Sequence, residues 1–439
     1  MEDAKLLGFG AVSLGGPLLV YEADLKTRPW KYDEERVVYI SETYPRSDAD
    51  IESGLVAIPE VWSGEPSSIL LNGKGYTPGK GSLFGNCTIE TFKLTPGKKH
   101  RFRFISGATL SYLYFGLQGH DMEIIEADGE NTHPLSTKFL HINTGQRYSV
   151  LITGKSSDEL ATDRDKGIKF YWLEGHTTER PVQTEDVFAA VYYDKVDTPL
   201  QAMPQMNVAQ ANQDPKNPTY KSSVWGFEYP AYNREDYLLQ PIDKYTDMPS
   251  YQDVKYSVVI NTHQEVAATI TWQQNGRTWF GPRDDIPTLI ALIDGENLQE
   301  YTPLAVDDNH FDTNQANNQY FVNTGDVIEI VIQNIATQDQ GDAGNIAADA
   351  HPWHLHGAHY YDMGHGPGAY DAKANEQLIK DGKRIPIKRD TSVLYRYLDA
   401  EKVGAPDGWR TFRIKVTSVG AWMLHCHSKS GLLLWWDSS

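Results

Sequence analysis

Two short histidine-rich stretches, HPWHLHG at 351–357 and WMLHCH at 422–427, decide how the C-terminal part of this chain folds. Side chains along an extended strand alternate between its two faces with a period of two. If both stretches are extended, each sorts its histidines onto opposite faces by odd and even position. The spacing therefore predicts two separate groups of side chains on one pair of strands.

The predicted groups differ in chemistry as well as in position. One group is a set of four imidazoles: His354, His356, His425 and His427. The other is a pair on the opposite faces, His351 and Cys426. Imidazole together with thiolate selects copper or zinc, whereas imidazoles alone on an adjacent centre suit copper that is bridged to oxygen. A cysteine whose neighbours ligate a second centre is a short covalent path for electrons.

Two alternative interpretations concern the histidines outside the clusters and the identity of the metal. A single histidine is usually a surface residue or a hydrogen-bonded core residue, and this interpretation applies to eight of the 14: His100, His120, His133, His141, His176, His263, His310 and His365. A zinc hydrolase is the competing metal chemistry. It requires an Asp or Glu ligand or base near the histidines, and neither cluster contains an acid.

Length and composition exclude several classes of protein. A chain of 439 residues corresponds to about two to three domains. The net charge of −19 argues against nucleic acid as a partner, because phosphate binding requires a basic face. No apolar run approaches the ~18 residues of a membrane-spanning helix. Two cysteines exclude a disulfide-dense scaffold and a four-cysteine zinc site.

Short β-branched and aromatic runs, most of them bounded by Gly, Pro, Asn or Asp, predict an all-β protein of sandwich or barrel type. The runs lie at 37–40, 91–94, 102–105, 112–115, 148–152, 187–192, 256–260, 326–332 and 412–416. One short helix is predicted near 371–380. Residues 196–250 are rich in Gln, Asn and Pro and predict an ordered linker between domains at 17–195 and 251–439.

The two histidine stretches resemble the C-terminal copper motifs of the multicopper oxidases, with HPWHLHG matching one and GAWMLHCH (420–427) the other. The tripeptide RDT (389–391) and the pair GW (408–409) also fit that family. Upstream, NGKG (72–75), LTPG (94–97) and RFR (101–103) resemble its second domain. HGAHYYDMG (356–364) and YDAKANE (370–376) favour the fungal ascorbate-oxidase-like or laccase-like branch.

This resemblance implies cupredoxin-like Greek-key domains, two of them nearly complete, with residues 1–16 as the remnant of a first. It implies a type 1 copper on His351 and Cys426, a type 2 copper on His354, and a type 3 pair on His356, His425 and His427. It further implies one-electron oxidation of a phenol or enediol donor. Electrons then pass through Cys426, His425 and His427 to a trinuclear cluster that reduces O2 to water.

The chain departs from the family pattern at three places. The family has two further His-x-His motifs in its first domain, but the first His-x-His here begins at His354. The family also has a histidine four residues after His-Cys-His, where Gly431 stands. The chain stops at Ser439, sooner than the family's closing segment. These departures suggest a chain truncated at both ends, with an exposed face toward the missing domain. They keep open the alternative of an incompetent fragment or a non-enzymatic copper-binding protein.

The remaining expectations concern the cellular compartment and Cys87. The resemblance implies a secreted protein, although the N-terminus begins with Glu2 and Asp3 and shows no signal peptide. Asn86, in the triplet NCT, is the only Asn-x-Ser/Thr site without proline, which agrees with secretion. Cys87 is either a small buried thiol or, as the resemblance implies, the half of a disulfide to the missing domain.

Overall fold

The structure is a computed structural model, and it describes residues 16–21, 28–55, 57–59, 61–75, 89–178, 184, 186–194, 209–210, 219–222, 228–230, 235–266, 270–275, 277–278, 320–338, 346–397, 400–427 and 431–436. Contacts within the chain group these residues into two compact units. The N-terminal unit comprises the described residues of 16–48 and 63–242. The C-terminal unit comprises those of 49–62 and 243–436.

The N-terminal unit is built almost entirely from short strands. In chain order they are β1 (Glu34–Thr43), β2 (Ser68–Leu71), β3 (Glu90–Lys93), β4 (Lys99–Ser106), β5 (Tyr112–Leu117), β6 (Met122–Ala127), β7 (Glu130–Thr137), β8 (Phe139–Ile142), β9 (Arg147–Thr153), β10 (Tyr171–Thr178), β11 (Val187–Tyr192), β12 (Ala209–Gln210), β13 (Thr219–Lys221) and β14 (Glu228–Pro230). A helix, α1 (Asp48–Leu55), follows β1 and belongs mostly to the other unit. A second helix, α2 (Ser157–Asp165), follows β9.

These strands form a six-stranded sheet in the order β2-β1-β4-β9-β6-β7 and a five-stranded sheet in the order β3-β11-β10-β5-β8. The three shortest strands form a small sheet of their own, β12-β13-β14. Apolar side chains from both large sheets are buried, and Phe104 of β4 lies 5.4 Å from Phe115 of β5 between ring centroids. Helix α2 begins at a capping box, in which Ser156 and Glu159 satisfy each other's backbone N–H groups.

The C-terminal unit has the same character. Its strands are β15 (Tyr256–Val266), β16 (Ile270–Gln274), β17 (Arg277–Thr278), β18 (Phe321–Val322), β19 (Val327–Ile335), β20 (Thr337–Gln338), β21 (Ile346–Ala347), β22 (His351–Leu355), β23 (Tyr360–Pro367), β24 (Ile387–Arg389), β25 (Thr391–Leu394), β26 (Pro406–Lys415), β27 (Gly420–Cys426) and β28 (Gly431–Trp436). The predicted helix is present as α3 (Ala372–Lys380). It starts where Asp371 accepts a hydrogen bond from the backbone N–H of Ala374. Single-turn 3₁₀ helices lie at Glu235–Leu238 and Tyr251–Asp253.

Two sheets enclose the core of the C-terminal unit. One has seven strands in the order β17-β16-β15-β19-β26-β23-β24, and the other has five in the order β18-β28-β27-β22-β25. A single apolar cluster joins them, with Ile260 and Ile330 from the first sheet and Trp353, Leu424 and Cys426 from the second. Burial of this apolar surface between the sheets is the main force that holds β22 and β27 in place.

Buried ion pairs fix strand β26 within its sheet. Arg410 pairs with Asp362 of β23, and both side chains are almost fully buried. Arg413 lies 2.6 Å from Glu329 of β19, also in the interior. Removing one partner of such a pair leaves an uncompensated buried charge. The two pairs therefore link β26 to β23 and to β19 in the interior of the seven-stranded sheet.

The prediction of an all-β fold is confirmed, and every predicted strand run lies on an observed strand or within one residue of its end. The units divide between Ile242 and Asp243, inside the segment predicted as a linker. The described parts of that segment include strands β12 to β14, and Ile242 donates a backbone hydrogen bond to Asn131. Residues 16–21 lie outside any strand. Cys87 and the Asn86 triplet lie outside the described residues.

Candidate metal centre

Strands β22 and β27 lie side by side and antiparallel, which brings the two histidine stretches together. His354 is directly opposite His425, and Trp353 is directly opposite Cys426. Residues that are directly opposite in an antiparallel pair project from the same face. Trp353 and Cys426 are buried in the core, so the face that carries His354 and His425 is the outer one. The parity prediction from the sequence is thus confirmed at the level of geometry.

The outer face, which we call the histidine face, carries His354, His356, His425 and His427. Ring centroids lie 5.0 Å apart for His354–His356, 5.5 Å for His354–His425 and 5.6 Å for His354–His427. They lie 5.1 Å apart for His356–His425 and 5.4 Å for His425–His427. One ring nitrogen from each of His354, His356 and His425 lies within 4.8 Å of the others. This spacing is short enough for the three imidazoles to share metal ions.

The histidine face is open at its edge. His356 and His427 are exposed, whereas His354 and His425 are partly buried. The described part of the chain therefore leaves the histidine face accessible to further ligands.

Hydrogen bonds behind His354 set the orientation of its ring. Its Nδ1 donates to the backbone carbonyl of Asp390 at 2.9 Å and lies 3.0 Å from the Thr391 hydroxyl. That hydroxyl in turn donates to the Asp390 carboxylate at 3.0 Å. With the proton of the neutral ring held on Nδ1, Nε2 keeps the lone pair that a metal needs. The RDT motif thus orients the His354 ring on the histidine face.

A hydrogen bond from Nδ1 to a backbone carbonyl also orients the ring of His425. Its Nδ1 donates to the carbonyl of Cys426 at 3.1 Å, and its Nε2 lies 3.0 Å from Nε2 of His356. Burial, together with the smaller effect of the neighbouring histidines, lowers the pKa of His425 to about 3. The ring is therefore neutral near pH 7, which is the form that binds metal.

The inner face holds the second group. The Cys426 sulfur lies 3.6 Å from Nδ1 of His351, and both side chains are buried. Cys426 forms no disulfide. The indole of Trp272, on β16, meets the His351 ring edge to face at 4.9 Å between centroids. A buried imidazole beside a thiol is the donor chemistry of a copper or zinc site.

Copper fits the two donor sets. The imidazole nitrogen and the thiolate sulfur on the inner face suit copper, and so do the imidazoles on the outer face. The fold brings these donor residues close together. At both His354 and His425, Nδ1 is engaged in a hydrogen bond, so Nε2 is the nitrogen left to bind a metal.

Folding supplies an acid that the two histidine clusters lack in sequence. The Asp390 carboxylate lies 3.9 Å from Nδ1 of His354 and 3.9 Å from Nε2 of His359. The sequence signal was the RDT motif, which gave no role for the aspartate. The lack of an acid within the two clusters therefore does not exclude zinc, and copper is favoured by the sulfur donor and by similarity to known proteins.

A second feature that the sequence does not reveal is the turn that follows His356. Gly357 has φ +77°, and an added Cβ would stand 2.1 Å from the ring of Trp422. Trp422 lies on β27, three residues before His425. The indole thus packs directly on the turn, and only glycine allows that approach.

Among the described residues, none of the eight histidines interpreted as ordinary belongs to a group of three or more potential metal ligands. His100, His120, His176 and His365 are buried. His310 and the side chain of His263 lie outside the described residues. Gly431 stands directly opposite His425 in the β27–β28 hairpin and offers no side chain as a ligand.

Two regions of the chain, 34–161 and 283–435, match the family descriptions of the multicopper oxidases. Multicopper oxidase terE of Aspergillus terreus is 30% identical over 454 residues, which cover 98% of this chain and 80% of that protein. Multicopper oxidase aurL2 of Gibberella zeae is 31% identical, covering 96% of this chain and 68% of the relative. L-ascorbate oxidase of Cucumis sativus is 27% identical, with 95% and 68% covered.

Solved structures show the same fold. Fet3p, described as a multicopper oxidase that functions in iron import, superposes with a TM-score of 0.64 at 20% identity, covering 94% of this chain and 67% of its own. A laccase mutant from B. aclada gives a TM-score of 0.63 at 17% identity, covering 92% and 64%. Together with the relatives, these findings establish that the chain belongs to the multicopper oxidase family, whose copper-dependent oxidoreductase chemistry uses O2 as the electron acceptor.

Proposed function

We propose that this chain carries the copper centres of an oxidase of small electron-rich donors, of the phenol or enediol kind, through the two faces of the β22–β27 pair. The observation that supports this is that Cys426 stands between His425 and His427 in the chain while its sulfur faces His351. One backbone segment thus joins a sulfur–nitrogen donor pair to four imidazoles. Names of relatives such as L-ascorbate oxidase and laccase-like multicopper oxidase support the donor class.

The proposed roles follow from the two faces. His351 and Cys426 would hold the copper that receives single electrons from the donor. His354, His356, His425 and His427 would hold the copper ions at which O2 is reduced. When bound, copper supplies the one-electron chemistry on the inner face and the oxygen chemistry on the outer face.

The chain's own residues supply orientation and insulation. Asp390 and Thr391 hold the His354 ring in one tautomer and one direction. The core around Cys426 excludes water from the thiol, because Trp353 and Leu424 pack beside it. The backbone from Cys426 to its neighbouring histidines provides the covalent route between the two faces.

Whether this chain alone reduces O2 is a separate question from whether it binds copper. The four histidines are half of the eight that the family resemblance implies, and Gly431 replaces an inner-face histidine. A metal site with half of its ligands binds more weakly. We therefore expect low O2 uptake with a phenol from the chain alone, despite copper binding.

The test is metal analysis with electron paramagnetic resonance of the copper-loaded chain, alongside Cys426→Ser and a His425→Ala/His427→Ala double variant. We expect the wild-type chain to bind copper at both donor sets. We expect the thiolate-dependent absorption to be lost in Cys426→Ser and kept in the double variant. Zinc as the sole bound metal, or no stoichiometric metal in the wild-type chain, contradicts the proposal. Strong O2 uptake by the chain alone contradicts only the expectation of low competence.

We also propose that the protein is secreted, which the resemblance to laccase-like and ascorbate oxidases supports. Among the described residues, no helix is long and apolar enough to cross a membrane. Antibody detection in the culture medium and in the cell pellet of the producing organism tests the proposal. A protein confined to the pellet contradicts it.

A further inference from the structure

The amide of Gln274, at the end of β16, has no explanation in the proposed function. The side chain is 1% exposed, and neither its Oε1 nor its Nε2 has a hydrogen-bond partner among the described residues. Burying an amide without a partner carries a desolvation penalty, and native structures seldom keep such groups. Gln274 therefore calls for a partner that the described polypeptide does not supply.

The strand register shows where this amide lies. Gln274 is directly opposite Thr262 of β15, so both side chains project from the same face of the sheet. Ile260, two residues before Thr262, projects from that face as well and belongs to the apolar cluster that contains Cys426. Gln274 thus faces the interior into which the Cys426 side chain also projects.

Trp272 fixes the position more closely. It lies two residues before Gln274, on the same face and roughly 6.8 Å along the strand. Its indole contacts the His351 ring at 4.9 Å. Gln274 therefore occupies the layer between the apolar residues at Ile260 and the level at which Trp272 meets His351.

Among the described residues, His351 and Cys426 are the two donors that the structure places together on the inner face. Gly431, directly opposite His425, has no side chain to add a third. A carbonyl-type oxygen is a known weak third partner for copper that is held by thiolate and imidazole.

We propose that the Oε1 atom of Gln274 completes the donor set around the copper held by His351 and Cys426; this rests on the proposed function. An amide oxygen is a harder donor than a thioether, so it favours Cu(II) over Cu(I) and lowers the reduction potential of the site. Gln274 is thereby a residue that sets which donors this chain is able to oxidise.

The experiment titrates the purified chain with Co(II) and with Cu(II) and records the thiolate-to-metal absorption, the affinity against a competing chelator and the reduction potential. Gln274→Leu removes the oxygen, Gln274→Met replaces it by sulfur, and Gln273→Leu is the matched control on the opposite face of β16. Cys426→Ser identifies the thiolate-dependent signal. Circular dichroism and an unfolding curve confirm that each variant is folded.

We expect Gln274→Leu to shift the thiolate-dependent band and to weaken metal binding at that site by about tenfold or more. Gln274→Met should shift the band and raise the potential, while Gln273→Leu matches the wild-type chain. Metal binding at the histidine face should equal that of the wild-type chain in all variants of Gln273 and Gln274.

Two results overturn the proposal in distinguishable ways. If the band, affinity and potential of Gln274→Leu equal those of the wild-type chain, the amide meets only water or another part of the chain, and this inference alone fails. If the wild-type chain gives no signal that Cys426→Ser removes, the inner-face site of the proposed function fails, and the role of Gln274 fails with it.

Discussion

The histidines of the two units show opposite uses of one side chain. In the N-terminal unit, Tyr114 is directly opposite His141 on one side and His176 on the other, so a phenol ring separates the two imidazoles. Tyr114 lies 4.5 Å from His141 and 5.8 Å from His176 between ring centroids. In the C-terminal unit, two-residue spacing on paired strands lets His354, His356 and their partners converge with no ring between them.

The difference shows that neither the number nor the burial of histidines makes a metal centre. Burial lowers the pKa of His176 to about 3, and it lowers the pKa of His425 to about 3 as well. Both rings are neutral near pH 7, yet of the two only His425 belongs to a group of three imidazoles whose nitrogens lie within 4.8 Å of one another. Convergence of nitrogens, set by strand register, separates the metal candidate from the core residue.

The strongest test of this contrast removes imidazoles from each unit in turn. In a Cys426→Ser background, His425→Ala/His427→Ala deletes half of the histidine face, so we expect stoichiometric Cu(II) binding to be lost. His176→Phe in the same background should bind as its parent does. Equilibrium dialysis with metal analysis measures both, and equal copper contents in the two variants would refute the assignment.

Acid should destabilise the N-terminal unit through its buried histidines. Burial lowers the pKa of His120 from 6.5 to about 4 and that of His176 to about 3. The unfolded chain therefore takes up protons first as the pH falls below 6.5. Above that pH the free energy of unfolding is unaffected by these histidines. As the pH falls below it, each histidine lowers the free energy of unfolding by about 1.4 kcal/mol per pH unit, down to about pH 4 for His120 and about pH 3 for His176.

The matched variant for this prediction is His176→Phe, which keeps a ring beside Tyr114 and removes the titrating group. Urea unfolding at several pH values between 7.5 and 4 should show a shallower loss of unfolding free energy than in the wild-type chain. Identical slopes for the two proteins would show that His176 does not titrate with folding.

The hydrogen bonds behind His354 give a smaller effect that sharpens the role of the RDT motif. Thr391→Val removes the hydroxyl that lies 3.0 Å from His354 Nδ1 and leaves the carbonyl of Asp390 in place. We expect copper affinity at the histidine face to fall by about 10-fold to 100-fold, with little change in unfolding midpoint. Thr391→Ser, which keeps the hydroxyl, is the control. Unchanged affinity in Thr391→Val would make the contact incidental.

The turn after His356 gives an effect on stability alone. Gly357→Ala adds a methyl group at φ +77°, against the ring of Trp422, and should cost about 1–3 kcal/mol of stability. Gly382→Ala is a control for backbone strain alone, because φ is +68° there and no atom lies within 4 Å of the added Cβ. Thermal unfolding compares the two, and an equal loss in both would show that contact with Trp422 adds nothing.

Much of the fold follows from local pattern. Alternation and β-branched runs predict β4, β9 and β19, and the short helix predicted near 371–380 is α3. The pairing of β22 with β27 follows from the motifs only through the resemblance, since 64 residues separate the two strands and local pattern carries no information on such contacts. The positions of Trp272, Asp390 and Gln274 around the centre had no local signal of this kind.

The sequence by itself determined which side chains share a face, because the two-residue period of a strand is a local property of the backbone. It also supplied the sulfur and the imidazoles, a donor set that selects copper or zinc. Tertiary structure alone decided which face turned inward, because burial of Trp353 and Leu424 against the opposite sheet is a long-range event. The same packing brought the Asp390 carbonyl to His354 and the Trp272 ring to His351.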